Sequence, residues 1–191
     1  MEQDIRQQIV DAARKIFAQY GFRKTTVDEI AASIHKAKSS IYHYFNSKEE
    51  IFKAVIKKEY DFFKQKVNEV LQKLESPMEK LRCYILTRLN MLLDLGNFYT
   101  ALRNDYFECL GLIEELRKQY ILDEIEIFEN ILQEGVDKGL FAVKNVKGTA
   151  KTIIRVLKSL EYSWGSEENK EELKANVSDT LDIFLYGVLK R

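Results

Sequence analysis

The sequence predicts an all-α protein with a small N-terminal head and a larger helical body. Three observations carry this. The chain of 191 residues holds one proline and eight glycines, so helix breakers are scarce, while strong helix formers are dense. Apolar residues recur at helical spacing along most of its length. Residues 26–50, TVDEIAASIHKAKSSIYHYFNSKEE, read as two short helices joined by a tight turn and running into a third.

The first helix is expected from about Asp4 to Tyr20, with Ile5, Ile9, Ala12, Ala13, Ile16, Phe17 and Tyr20 on one stripe and Gly21 ending it in a positive-φ conformation. Thr26 followed three residues later by Glu29 is a capping box, so the next helix opens there. A second short helix runs from about Lys38 to Phe45. Its Ile41 and Phe45 lie one turn apart and point inward, which leaves Ser39, Ser40, Tyr42, His43 and Tyr44 for other faces. The helix-turn-helix then spans about 27–46 and the head residues 1–50.

Ser47 and Glu50 repeat the capping pattern, and the helix they open keeps its period to about Glu75, roughly 40 Å at 1.5 Å per residue. Such a rod is a natural mechanical link between head and body. Ser76-Pro77-Met78-Glu79 makes a third box with proline at the first helical position, starting a helix over about 77–95. Further helices are expected over about 98–111, 112–138 with Gly139 as terminator, 146–164 and 170–189.

The charge pattern is local. The whole chain is neutral, but Arg23, Lys24, Lys36, Lys38 and Lys48 stand against only Asp28 and Glu29 between residues 23 and 48, net +3, and His35 and His43 lie in the same window. Lys36 and Lys38 at the entry of the second short helix can neutralise phosphates. Ser39 and Ser40 allow close approach, Tyr42 and His43 can reach phosphate or base edges, and Lys48 sits at a helix N-terminus that already favours an anion. A plain helical bundle carries the same shape, with Tyr42 and His43 as packing groups, so the shape alone leaves both readings open.

The residues themselves resemble a known family. IYHYFNSKEEIF, with TTVDEIA before it and AARKIFAQYGF upstream, is similar to the DNA-binding head of the TetR family of transcriptional regulators over roughly the first 60 residues. The resemblance implies that Thr26, Ser40, Tyr42, His43 and Lys48 occupy positions that touch DNA, mostly phosphate, and that Ser39 stands where many relatives have a close-packed glycine. It implies a double-stranded operator, probed by a homodimer, and a body over 51–191 that binds a ligand and dimerises. The turn departs from the family pattern. Ile34-His35-Lys36-Ala37 replaces Ala-Gly-Val-Ser, so His35 must take a positive φ or the turn must differ, and Ala37 cannot cap.

In the body, the resemblance implies a pocket for a small apolar or aromatic ligand. Candidate lining residues are Tyr84, Phe98, Tyr99, Tyr106, Phe107, Tyr120, Phe128 and Tyr162, with Cys83 and Trp164 beside them; core packing is the competing role for each. The last two helices would pair with their copies across a dimer interface through Ile154, Leu157, Leu160, Trp164, Val177, Leu181, Phe184, Leu185 and Val188, with one more layer of monomer core as the competing role. A single weakly basic head would bind DNA poorly, and two half-sites suit a symmetric pair.

Other classes are disfavoured. The body has no histidine, and the chain has no GxGxxG or P-loop pattern, so neither an enzyme nor a cofactor or metal is expected. Cys83 and Cys109 lack metal spacing and read as reduced core thiols, with a redox pair as the alternative. A polar N-terminus and no long apolar run suggest a cytoplasmic protein without a membrane segment. Three alternatives to a ligand-responsive repressor stay open: the same head governed by a protein partner, a nucleoid-binding adaptor, and a helical interaction module with no DNA role.

Overall fold

The computed structural model describes residues 2–94, 106–165, 179, 181–183 and 185–186, with side chains over 4–88, 115, 118, 120–160, 179, 181–183, 185 and 186. Among the described residues the elements with defined bounds are α1 (Glu2–Lys24), α2 (Val27–Ser33), α3 (Lys38–Tyr42), α4 (Lys48–Leu71), α5 (Pro77–Asp94), α6 (Tyr106–Asp137) and α7 (Val146–Gly165). They fall into two compact units. One comprises the chain up to Phe62 with the start of α6 up to Leu116; the other comprises Phe63–Asp94 and the chain from Arg117 onward.

The first unit is built on an aromatic cluster. Gly21 takes φ 82°, ψ 167°, a conformation open to glycine, and the kink turns Phe22 back into the core. Phe22 lies 4.9 Å from Phe52 and 5.8 Å from Phe17, and Phe17 meets Phe52 edge-on at 5.3 Å, ring centre to ring centre. Ile9, Ala13, Ile30, Ile41, Ile51 and Val55 complete this core, each fully buried. Burying each large apolar side chain contributes about 1.5–3 kcal/mol. Thr25 is also fully buried; its hydroxyl donates to the Gly21 carbonyl at 2.8 Å and closes α1, which leaves the capping role to Thr26. Arg14 pairs with the buried Glu59 at 2.9 Å and Lys58 with Asp11, tying α1 to α4.

The second unit centres on Tyr84, Phe128, Leu81, Ile85 and Leu132, all fully buried, with Ile154 and Leu157 of α7 in the same class. Tyr84 packs edge-on against Phe128 at 4.7 Å and against Phe63 at 6.0 Å. Its hydroxyl donates to Glu124 at 3.0 Å, and Arg88 pairs with the same carboxylate, so a buried ionic group crosses from α5 to α6. The α6 terminus is a Schellman motif: Leu140 N–H donates to the Gly135 carbonyl at 2.8 Å and Gly139 N–H to Val136 at 2.9 Å, with Gly139 at φ 68°. Phe141 folds onto Gly135 so closely that a Cβ there would lie 2.0 Å from its ring. Lys80 and Lys138 both hold Glu134, at 2.7 and 2.8 Å.

Four expectations need correction. The helix after Ser47 ends at Leu71, short of Glu75, because the chain tightens through Lys73 N–H to Val70 and Leu74 N–H to Leu71 carbonyls and must leave the helix before Pro77. The helix begun at Lys38 ends at Tyr42 and not Phe45, although Phe45 is buried as expected. The two separate helices expected about Gly111 are one helix from Tyr106; a single glycine within good helix formers costs only about 1 kcal/mol. Glu50 does not close the Ser47 box: Ser47 Oγ accepts from Glu50 N–H at 3.3 Å, but the Glu50 carboxylate accepts from Asn46 N–H at 2.9 Å, one residue earlier. Residues 98–105 of the expected short helix lie outside the described residues.

Candidate nucleic-acid interface

The turn between α2 and α3 decides what α3 can present. The α2 cap is complete: Thr26 Oγ1 accepts from Glu29 N–H at 3.2 Å, and the Glu29 carboxylate accepts from Thr26 N–H at 2.7 Å. That second bond holds the Glu29 carboxyl below its usual range. The other end of α2 is a Schellman motif in which Lys36 N–H donates to the Ala31 carbonyl at 3.0 Å and His35 N–H to Ala32 at 3.1 Å. His35 takes φ 55°, so of the two outcomes open to the turn the left-handed histidine is realised. Ala37 stands at the α3 N-cap with no side-chain cap, as its chemistry requires.

Within α3, Ile41 and the following Phe45 are buried and fasten the helix to the head. Tyr42 is 46% exposed, and Lys36, Lys38, Ser39 and His43 are exposed, with Ser40 half-buried. The packing alternative for Tyr42 and His43 is therefore excluded within this chain. A contact that sequence reasoning missed steadies the end of α3: the Arg6 guanidinium stacks over the Phe45 ring at 4.6 Å.

Two of the expected phosphate-binding lysines have internal partners. Lys38 Nζ lies 2.6 Å from Asp28 Oδ2, which bridges α3 to α2 and raises the Lys38 pKa. Lys48 Nζ donates to the carbonyls of Phe22 at 2.9 Å and Thr25 at 3.0 Å and sits over the Phe22 ring. Thr26 Oγ1 is likewise engaged, 2.9 Å from the Glu29 carboxylate. What remains outward is an arc of Lys36, Ser39, Tyr42 and His43: one cation, two hydroxyls and an imidazole, able to donate to phosphates and to read base edges.

Residues 9–55 match the family described as bacterial regulatory proteins, tetR family. Along the whole chain, the fatty acid metabolism regulator protein of Bacillus subtilis is 26% identical over 186 residues, covering 95% of this chain and 94% of that one. The head, residues 9–55, is of the TetR family. Solved structures agree: a transcriptional regulator from Cytophaga hutchinsonii superposes with TM-score 0.82 at 27% identity, covering 96% of this chain and 98% of the other. FadR from Bacillus subtilis, in complex with stearoyl-CoA, superposes with TM-score 0.73 at 26% identity, covering 95% and 98%. A TetR-family protein is a transcriptional regulator that binds DNA through its helix-turn-helix, and α2 and α3 are that element here.

The expected pocket residues fall into three groups. Tyr84 and Phe128 are wholly buried against each other, and Tyr120 on α6 is half-buried. Tyr106, Phe107 and Cys109 on α6 and Tyr162 and Trp164 on α7 have described backbone only, and Phe98 and Tyr99 lie outside the described residues. Cys83 is half-buried, with its sulfur 3.8 Å from Thr87 Oγ1. No described helix is long and apolar enough to cross a membrane.

The expected dimer residues need a correction of facing. Ile154 and Leu157 are buried within the chain itself, because α7 turns its main apolar stripe toward its own unit, where it packs with α5, and Leu181 and Leu185 are buried as well. Leu160 is half-buried, and Val177, Phe184 and Val188 lie outside the described residues. The apolar side chains that do face outward on these segments are Val156 at 39% exposure, Ile183 at 74% and Tyr186 at 70%, which the breadth of the apolar pattern concealed.

Proposed function

We propose that this TetR-family regulator is a homodimeric repressor that binds a palindromic double-stranded operator and is released by a small ligand. The observation that carries this is the division of α3: Ile41 and Phe45 anchor it, while Tyr42 and His43 stand outward beside Lys36. The DNA-binding head is assigned to residues 1–50 and the regulatory body to 51–191. Dimerisation runs through α7 and the segment around residues 181–186, and the exposed Val156, Ile183 and Tyr186 supply an outward apolar face of the kind that a partner copy covers.

The ligand has a mainly apolar body. The aromatic composition of the second unit around Tyr84 and Phe128 supports this, as does the acyl-CoA held by the Bacillus subtilis FadR. Release works by population shift: a ligand that prefers one arrangement of the dimer changes the spacing of the two recognition helices. Linkage then requires that the DNA complex bind the ligand more weakly by the same factor.

The test is selection of duplexes from a randomised library by the full chain, followed by titration of the selected duplex with stearoyl-CoA. The reading expects an inverted repeat with half-site centres about 34–36 Å apart, and DNA affinity that falls as stearoyl-CoA is added. Failure to enrich any duplex sinks the regulator reading. An enriched duplex whose affinity ignores acyl-CoA sinks this ligand class and leaves regulation by another molecule.

A further inference from the structure

The reading face carries an anion of its own. Asp28, the second residue of α2, holds the ammonium of Lys38, the first residue of α3, at 2.6 Å, and both side chains are exposed at 62% and 49%. A cation in the first turn of a helix is disfavoured by the helix dipole. Asp28 offsets that, and it keeps one of the few positive charges of the head paired before DNA arrives. An exposed ion pair is weak and screened by salt, so it exchanges readily for another anion.

We propose that Asp28 is a positioning residue that sets how tightly, and at what salt concentration, the head binds DNA: Lys38 trades the Asp28 carboxylate for a backbone phosphate on binding. The exchange has a definite consequence. Lys38 releases a counterion from the phosphate, but the abandoned Asp28 takes one up, so the pair contributes little to the salt dependence that one lysine normally adds. Binding to arbitrary DNA is thereby damped, because phosphate contacts carry no sequence information.

The inference rests on the DNA-regulator reading, and its test separates the two. Full-length wild type, Asp28→Asn, Lys38→Met and the double variant are titrated by fluorescence anisotropy against the duplex selected above and a scrambled duplex, over a range of potassium chloride. Each variant is also melted by circular dichroism. Asp28→Asn is expected to tighten both duplexes roughly two- to fivefold per subunit, with a salt slope steeper by about 0.9 per subunit. Lys38→Met, which loses the phosphate contact and leaves Asp28 unpaired, is expected to weaken both duplexes alone and to abolish the gain of Asp28→Asn in the double variant. A gain of equal size in the Lys38→Met background means only that a negative charge was removed, and overturns the exchange. So does an Asp28→Asn chain whose affinity is unchanged, or one that loses melting temperature and affinity together, which marks the pair as a strut. Absence of any enriched duplex overturns the regulator reading and this inference with it.

Discussion

The ammonium of Lys48 lies 2.9 Å from the carbonyl oxygen of Phe22 and 4.4 Å from the centre of that residue's ring. The contact joins the first turn of α4 to the end of α1, where backbone carbonyls are left without helical partners. Lys48 is therefore a fastening of the head before it is a contact for DNA. Lys48→Met should lower the stability of the chain by about 1–2 kcal/mol, the loss of charge-assisted hydrogen bonds discounted for partial exposure. Urea denaturation followed at the head tests this; an unchanged midpoint with weakened DNA binding would show that the carbonyl contacts contribute nothing.

His35 at φ 55° sits where only glycine is unstrained. His35→Gly should stabilise the chain by about 1 kcal/mol or less, since relief of strain is partly offset by the greater freedom glycine has when unfolded. His35→Val should destabilise, because a β-branched side chain tolerates that region least. Thermal melts of the two variants should therefore move in opposite directions.

The division of the head was legible because it rests on local rules. One turn separates Ile41 from Phe45, Thr26 stands three before Glu29, and Gly21 follows the last residue of an apolar stripe; each acts within a few residues. Contacts across elements were not legible. Nothing in the sequence brings Arg6 to Phe45, Asp28 to Lys38 or Lys48 to Phe22, since each depends on how helices pack. The late helices failed differently: their broad apolar pattern puts Leu157 at an interface and passes over Val156, although the first is wholly buried and the second is not.

That difference is testable. Ile183→Glu, at a position 74% exposed, should leave the fold intact and shift the chain toward monomer in sedimentation velocity. Leu157→Ala, at a fully buried position, should instead cost about 2–5 kcal/mol of subunit stability. If Ile183→Glu leaves the association state unchanged, the outward face lies elsewhere.

The α2 cap gives a pH signature. Glu29 is held below its usual pKa, chiefly by the Thr26 N–H, so its contribution to stability is complete above the ordinary glutamate range and is lost as pH falls through the lowered value. Thr26→Val removes the hydroxyl partner and should bring the Glu29 titration closer to normal, measured by carboxyl NMR shifts. It should also flatten the acid limb of stability. An identical titration in Thr26→Val would assign the shift to the backbone N–H alone.

The account turns on the outward face of α3, and the most direct measurement is the DNA affinity of the full-length Tyr42→Ala/His43→Ala chain. Both side chains are exposed, so the melting temperature should stay within about a degree or two of wild type. Affinity for the selected duplex should fall roughly tenfold or more. A variant that melts like wild type and binds that duplex equally well would contradict the assignment of α3 as the element that reads DNA.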